Sequence, residues 1–358
     1  MNKKLGYAVL GLGIGMAHAE AAAASEYADL VAVCDIDEKR LQKAASLYEG
    51  ITLYRDFEEL LKDDRVDIIS ICLPSAMHTD FAVRAMEAGK HVLVEKPLDI
   101  TYERAILIEE ARLRTGMKAG CVFQNRYNLN MYPFKKAVDD GRLGKLILGT
   151  FAVKWYRDQR YYDNGSWHGT WSMDGGGSLM NQAIHTVDLM TWLMGEPESV
   201  TSTMNIYNHD IETEDLTASI IKFKNGATAT FVSTTCAYPG ISTEIMVYGT
   251  DGSIEADADT LKTWKMRNPL DDMDEDEEEE MMIERYRRGN REACKLEPEK
   301  LYGHRHVVED MILAVRDDRD PEVLPPHGCR VCQAYPRNLR IGKIRKDCIS
   351  RLIQTEGV

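Results

Sequence analysis

The chain has 358 residues, 44% of them hydrophobic, and a formal net charge of −14 at pH 7. Its length fits roughly two domains, and the acidic balance excludes nucleic acid and anionic membrane surfaces as partners, because both demand a basic face. No run of about 18 apolar residues occurs, so no segment is expected to span a membrane.

The first residues read as a strand and its turn rather than as a signal segment. Tyr7-Ala8-Val9-Leu10 is apolar and ends in Gly11-Leu12-Gly13-Ile14-Gly15, and an alanine-rich helical segment follows at 16–24. Strand, glycine turn and helix form a phosphate cradle: Gly11 permits the tight turn, Gly13 lets a pyrophosphate approach the backbone, and the helix start offers free N–H groups. The usual spacing puts a third glycine at position 16, where this chain has Met16; Gly15 is expected to replace it, and Ile14 lies in the same turn. A second buried-strand pattern, 30–34, delivers Asp35. A carboxylate there can accept hydrogen bonds from both ribose hydroxyls, and with Asp37 it repels a 2′-phosphate, which favours NAD over NADP even with Lys39 and Arg40 close by. Asp37 is expected to cap the helix at 39–48.

Helices at 57–62 and 79–88, a strand at 67–73 and the strand His91–Val94 continue the alternation. Tyr102–Thr115 and 118–123 complete it as helix and strand. This spacing predicts a doubly wound parallel sheet, an α/β Rossmann-type domain over 1–123. Pro74 and Glu95-Lys96-Pro97 close two strands at their carboxyl ends, where such sheets bind ligands. Lys96 is thereby a candidate for proton transfer beside the nicotinamide, Glu95 its orienting partner, and His78 either caps the next helix or contacts the cofactor.

From 144 the pattern changes to period two, with long strands at 146–153, 216–223, 227–235 and 244–249. These predict a large open, mostly antiparallel sheet in a second α+β domain over 124–358. One face of such a sheet needs covering, hence a homodimer or homotetramer is expected. Three glycines, Gly175 to Gly177, precede a segment expected to be helical over 178–193, which would place Asn181, His185 and Asp188 on one face. The alternative for His185 is a satisfied core histidine. The acidic run 271–280 reads as a solvated loop. The eight cysteines are scattered, some within apolar strands, which fits a reducing, cytoplasmic setting. Cys329-x-x-Cys332 has no second pair, so no metal is expected.

The glycine turn, Asp35, Glu95-Lys96-Pro97 and the glycine-preceded segment with His185 and Asp188 together resemble the Gfo/Idh/MocA family of sugar and cyclitol oxidoreductases. The likeness runs to about Arg330. It implies that Lys96 and His185 flank the substrate carbon, and that Asn181, where the family often has Asp, orients a hydroxyl. Trp171 and the segment Gln124-Asn125-Arg126-Tyr127-Asn128 resemble the branch containing WlbA-type UDP-sugar dehydrogenases, which implies substrate contacts by Asn125, Arg126, Tyr127 and Trp171. The implied reaction transfers hydride between a secondary hydroxyl of a sugar or nucleotide sugar and NAD, with His185 or Lys96 as base. Inositol or another cyclitol is the alternative substrate, and a catalytically silent dinucleotide-binding regulator is the alternative of another class. Beyond Arg330 the family's closing helix and strand do not follow. A one-base shift in permitted codons restores both, so residues 331–358 are expected to be a frameshift product.

Overall fold

The computed structural model describes residues 4–128, 131–163, 167–257, 260–270, 272–295 and 302–333. Its first part alternates strictly: β1 (Leu5–Leu10), α1 (Gly15–Ala23), β2 (Ala28–Cys34), α2 (Glu38–Leu47), β3 (Thr52–Tyr54), α3 (Phe57–Leu61), β4 (Ile68–Ile71), α4 (His78–Glu87), β5 (His91–Val94), α5 (Tyr102–Thr115) and β6 (Ala119–Cys121). All strand pairs are parallel, in the order β3-β2-β1-β4-β5-β6. Strand order reverses between β1 and β4, which opens a crevice beyond their carboxyl ends. Burial on both faces is what lets β4 be apolar but for Ser70, with Ile68, Ile69 and Ile71 fully enclosed. Helix ends carry their own signals: Asp37 accepts the Lys39 amide at the start of α2, and Thr101 accepts that of Arg104 at the start of α5.

The second part contains α6 (Met131–Asp139), β7 (Leu146–Lys154), α7 (Gln159–Asp163), α8 (Ile184–Met194), β8 (Pro197–Asn205), β9 (Leu216–Phe223), β10 (Thr228–Thr234), β11 (Ser242–Gly249), β12 (Gly252–Asp257), β13 (Thr260–Met266), α9 (Glu275–Lys295), α10 (Tyr302–Arg316) and α11 (Pro325–Gln333). The sheet runs β13-β12-β11-β7-β10-β9-β8, antiparallel except where β10 pairs with β7. Along β9, Thr217, Ser219, Ile221 and Phe223 are buried while Ile220 is 54% exposed, the alternation of a sheet with one covered face. Helix α8 packs against β7 and β11 on the covered side.

Three local expectations are corrected. The segment 178–193 is not one α-helix: Ser178–Gln182 is a π-helical turn, and α8 begins only at Ile184. The cause is Glu214, whose carboxylate accepts the Gly177 and Leu179 amides at 3.0 and 2.9 Å and whose carbonyl accepts that of Ser178 at 2.9 Å. With those amides held from outside, the turn opens, and the regular α-helical spacing between Asn181 and His185 is lost. The acidic run is not a solvated loop throughout. From Glu275 it forms the first turns of α9, where carboxylates suit the positive end of a helix and Asp274 accepts the Asp276 and Glu277 amides. Glu278 is buried there, held by Arg142 and by Trp264 Nε1 at 2.8 Å. Third, Thr52–Tyr54 adds an edge strand at β3.

The carboxyl-terminal helices return to the first sheet, α10 against α1 and α11 against α5. Val307, Val308, Met311 and Ile312 join Tyr7 and Val9 in one apolar cluster. In α11, Val331 and Cys332 are buried, while residues 334–358, most of the tail expected to be frameshifted, lie outside the described residues.

Candidate active site

At the first turn Gly11 adopts φ +88°, and a Cβ there would meet the Cys72 carbonyl oxygen at 2.3 Å. Gly15 opens α1 against Val9, where a Cβ would come within 2.7 Å of the valine side chain, so it supplies the close helix–strand contact that the glycine spacing had put at position 16. A Cβ at Gly13 would meet nothing within 4 Å; the backbone there faces open space. Asp35 is buried, with Oδ2 accepting the Leu12 amide at 2.7 Å and Oδ1 the Asp37 amide at 2.8 Å, so it braces the same turn and retains further lone pairs.

A cleft of about 660 Å³ starts at Gly13 and Ile14, passes Pro74, Glu95 and Lys96 at the ends of β4 and β5, and continues to Asn181 and His185 from the second part. Behind Lys96 lies a chain of buried polar groups. Tyr7 Oη and His18 Nδ1 meet Ser70 Oγ at 2.5 and 2.9 Å, His18 Nε2 meets Glu95 Oε1 at 3.0 Å, and His304 Nε2 reaches the same carboxylate at 3.4 Å. Glu95 Oε2 accepts the Lys96 amide at 3.0 Å. Burial opposes charge on Glu95, but the two histidines outweigh it and hold the carboxyl well below its usual range.

Lys96 Nζ donates to the Asn181 carbonyl oxygen at 3.2 Å. Burial lowers the proton affinity of this amine, against the charges of Glu95 and Asp174. His185 stands edge-on to Phe123, and burial together with the Lys96 charge pushes it down to about 3, so its ring is neutral near pH 7. Its Nδ1 is buried without a partner. The Asn181 side chain donates to Asp174 at 2.6 Å and accepts from Gln182 at 3.1 Å, so its backbone carbonyl is what meets Lys96.

Other expected contacts lie outside the cleft wall. His78 begins α4 without capping it; its ring nitrogens face the Pro97 and Leu73 carbonyls at 2.7 Å each, tying the two strand-end loops together. Arg126 is buried in a bidentate pair with Asp188, and the Tyr127 hydroxyl donates to Asp310. Asn125 sits half-buried in the turn Gln124–Tyr127, and the Trp171 amide donates to Glu212. The wall includes Gln124, from the segment singled out in the sequence but given no contact of its own, and Trp155, Trp167, His168 and His304, none of them expected as a site residue. Gln124 Oε1 and His168 Nδ1 are, like His185 Nδ1, buried and unpartnered. Trp155 and His304 carry no motif of their own, because the wall converges only once the two sheets are assembled. Two groups among the described residues gather three possible metal ligands each, His18 with Glu95 and His304, and His209 with Asp215 and Cys236, a juxtaposition the sequence did not signal.

Residues 5–120 match the oxidoreductase family's NAD-binding Rossmann fold, and residues 133–255 match the GFO/IDH/MocA C-terminal domain. The chain belongs to the Gfo/Idh/MocA oxidoreductase family. Its fold is similar to that of the WlbA dehydrogenase of Bordetella pertussis, solved with NADH and UDP-GlcNAcA, at TM-score 0.85 and 28% identity over 95% of this chain and 98% of that one. The Chromobacterium violaceum WlbA dehydrogenase, also with NADH and UDP-GlcNAcA, gives 0.82 and 28% over 92% of each. The inositol 2-dehydrogenase of Rhizobium meliloti is 28% identical, covering 70% of this chain and 75% of that protein. The Gfo/Idh/MocA assignment makes NAD the cofactor, and the open backbone at Gly13 beside Asp35 suits its pyrophosphate and ribose.

Proposed function

We propose that this chain oxidises a secondary hydroxyl of a sugar or nucleotide sugar, with residues 1–123 holding NAD and 124–358 shaping the substrate side. The bound dinucleotide supplies the hydride acceptor. The observation that carries the reading is that Lys96 and His185, from opposite parts of the chain, line one cleft, with the His185 Nδ1 buried and unpartnered. A buried polar atom without a partner is costly, and a substrate hydroxyl relieves that cost. Neutral His185 orients the carbinol hydroxyl. Lys96, whose proton affinity is lowered toward the working range, takes the proton, because a base that titrates near 3 is a poor acceptor at neutral pH. Gln124 Oε1 suits a neighbouring hydroxyl donor, and Trp155 and Trp167 offer flat apolar faces to a ring.

The nucleotide-sugar form of this reading is supported by the likeness to the two WlbA dehydrogenases, and the cyclitol alternative by the relation to inositol 2-dehydrogenase. A panel of UDP-sugars, free sugars and inositols with NAD, followed by NADH absorbance, tests both; tight NAD binding without turnover on any member contradicts the proposal. The exposed Leu148 and Ile220 on the outer face of the second sheet support a homodimer or homotetramer, to be measured by light scattering. Free thiols at Cys34, Cys72, Cys121 and Cys236 support a reducing, cytoplasmic setting.

A further inference from the structure

Asp174 touches two walls of the cleft from behind. It is 2% exposed. Its Oδ2 accepts the Gly169 amide at 2.9 Å, which fixes the loop bearing Trp167 and His168, and His168 Nδ1 lies 4.0 Å from the same oxygen. Its Oδ1 accepts Asn181 Nδ2 at 2.6 Å, which fixes the π-helical turn whose carbonyl oxygen meets Lys96 Nζ. Asp174 thus reaches Lys96 in two ways, through the Asn181 bridge and through space.

We propose that Asp174 is the positioning residue of this site, holding the Lys96 amine in place through Asn181 and supplying the negative charge that faces it across the turn. The inference rests on the reading of Lys96 as the proton-transfer group. A purely structural carboxylate would need only the Gly169 amide to close its loop. What exceeds that need is the second oxygen, spent on the turn that carries the lysine's acceptor.

The charged and titratable groups around the pair come from several elements. Glu95, His185 and His168 face Lys96, His304 faces His185 and Glu95, and Glu214 and Tyr161 face Asp174. Burial raises the Asp174 carboxyl to about 7, aided by Glu214 and opposed by Gly169, Asn181 and Lys96, so its charge changes within the ordinary pH range. Glu95 is held ionised throughout that range, which leaves Asp174 as the variable member of the two carboxylates acting on Lys96.

Competitive acetylation of the full chain with acetic anhydride across pH 6–11, read by mass spectrometry on the Lys96 peptide, follows the free amine without depending on turnover. In Asp174→Asn the onset of Lys96 labelling is expected to move to lower pH by about 1 unit, the size of effect an adjacent opposite charge produces, while other lysines keep their profiles. Asn181→Ala, which cuts the bridge but leaves both charged groups, is expected to shift the onset in the same direction and decides the matter if Asp174→Asn does not fold. An unchanged Lys96 profile in a folded variant overturns the inference. If the wild-type chain turns over no substrate but the shift is seen, the catalytic reading fails and the positioning role stands; turnover without the shift gives the reverse.

Discussion

Arg126 and Asp188 form a buried fork, with Nε to Oδ2 at 2.7 Å and Nη2 to Oδ1 at 2.5 Å, linking the turn after β6 to the middle of α8. The side chains are 7% and 0% exposed. The resemblance implies a substrate contact for Arg126; the structure instead uses it to tie the Gln124–Tyr127 turn to α8. Removing one partner leaves a bare buried charge, so Arg126→Met is expected to lose about 3–5 kcal/mol of stability by chemical denaturation, and the double variant with Asp188→Leu is expected to recover much of it. Equal losses in the single and double variants would show that the pair does not act as a unit.

His185 makes stability depend on acid. Its folded value of about 3 lies below the ordinary 6.5, so the folded chain binds its proton later than the unfolded chain does. The stabilisation is fully present above pH 6.5 and is lost as pH falls toward 3. Between pH 7 and 5 the wild type is expected to lose about 2 kcal/mol that His185→Phe does not lose. Denaturant titrations at both pH values check this, and parallel losses in the two proteins would refute it.

Asp35 braces the glycine turn, and cofactor choice is the role proposed for it. Its two oxygens accept the Leu12 and Asp37 amides, and the lone pairs that remain suit the ribose contact proposed for it. Asp35→Ser is expected to weaken NADH binding by roughly 10-fold and to narrow the preference over NADPH, since the charge that repels a 2′-phosphate is gone while Arg40 remains. Fluorescence titration with each dinucleotide measures both, and an unchanged ratio of affinities would argue against Asp35 as the discriminating residue.

The parts of this molecule that could be read from its sequence are those fixed by local period. The apolar runs of β1, β2 and β4, the turn at Gly11 and the stop at Pro97 each follow from a few adjacent residues. So does the alternation of β9 and β10, whereas β3, with three residues, is too short to show one. The π-helical turn at Ser178–Gln182 was illegible because its cause, Glu214, lies far along the chain. For the same reason Asn181 was read through its side chain, although its carbonyl is what meets Lys96. His18 and His304, from α1 and α10, were not picked out because nothing in either helix announces that both end on Glu95.

In the dehydrogenation proposed for this chain, Lys96 moves the proton and residues 1–123 hold the dinucleotide. The most direct measurement compares Lys96→Ala with the wild type on whichever panel substrate is turned over, following NADH formation alongside NADH binding by fluorescence. Under that role turnover is expected to fall by at least about 100-fold with dinucleotide affinity retained. Near-normal turnover in Lys96→Ala would contradict it.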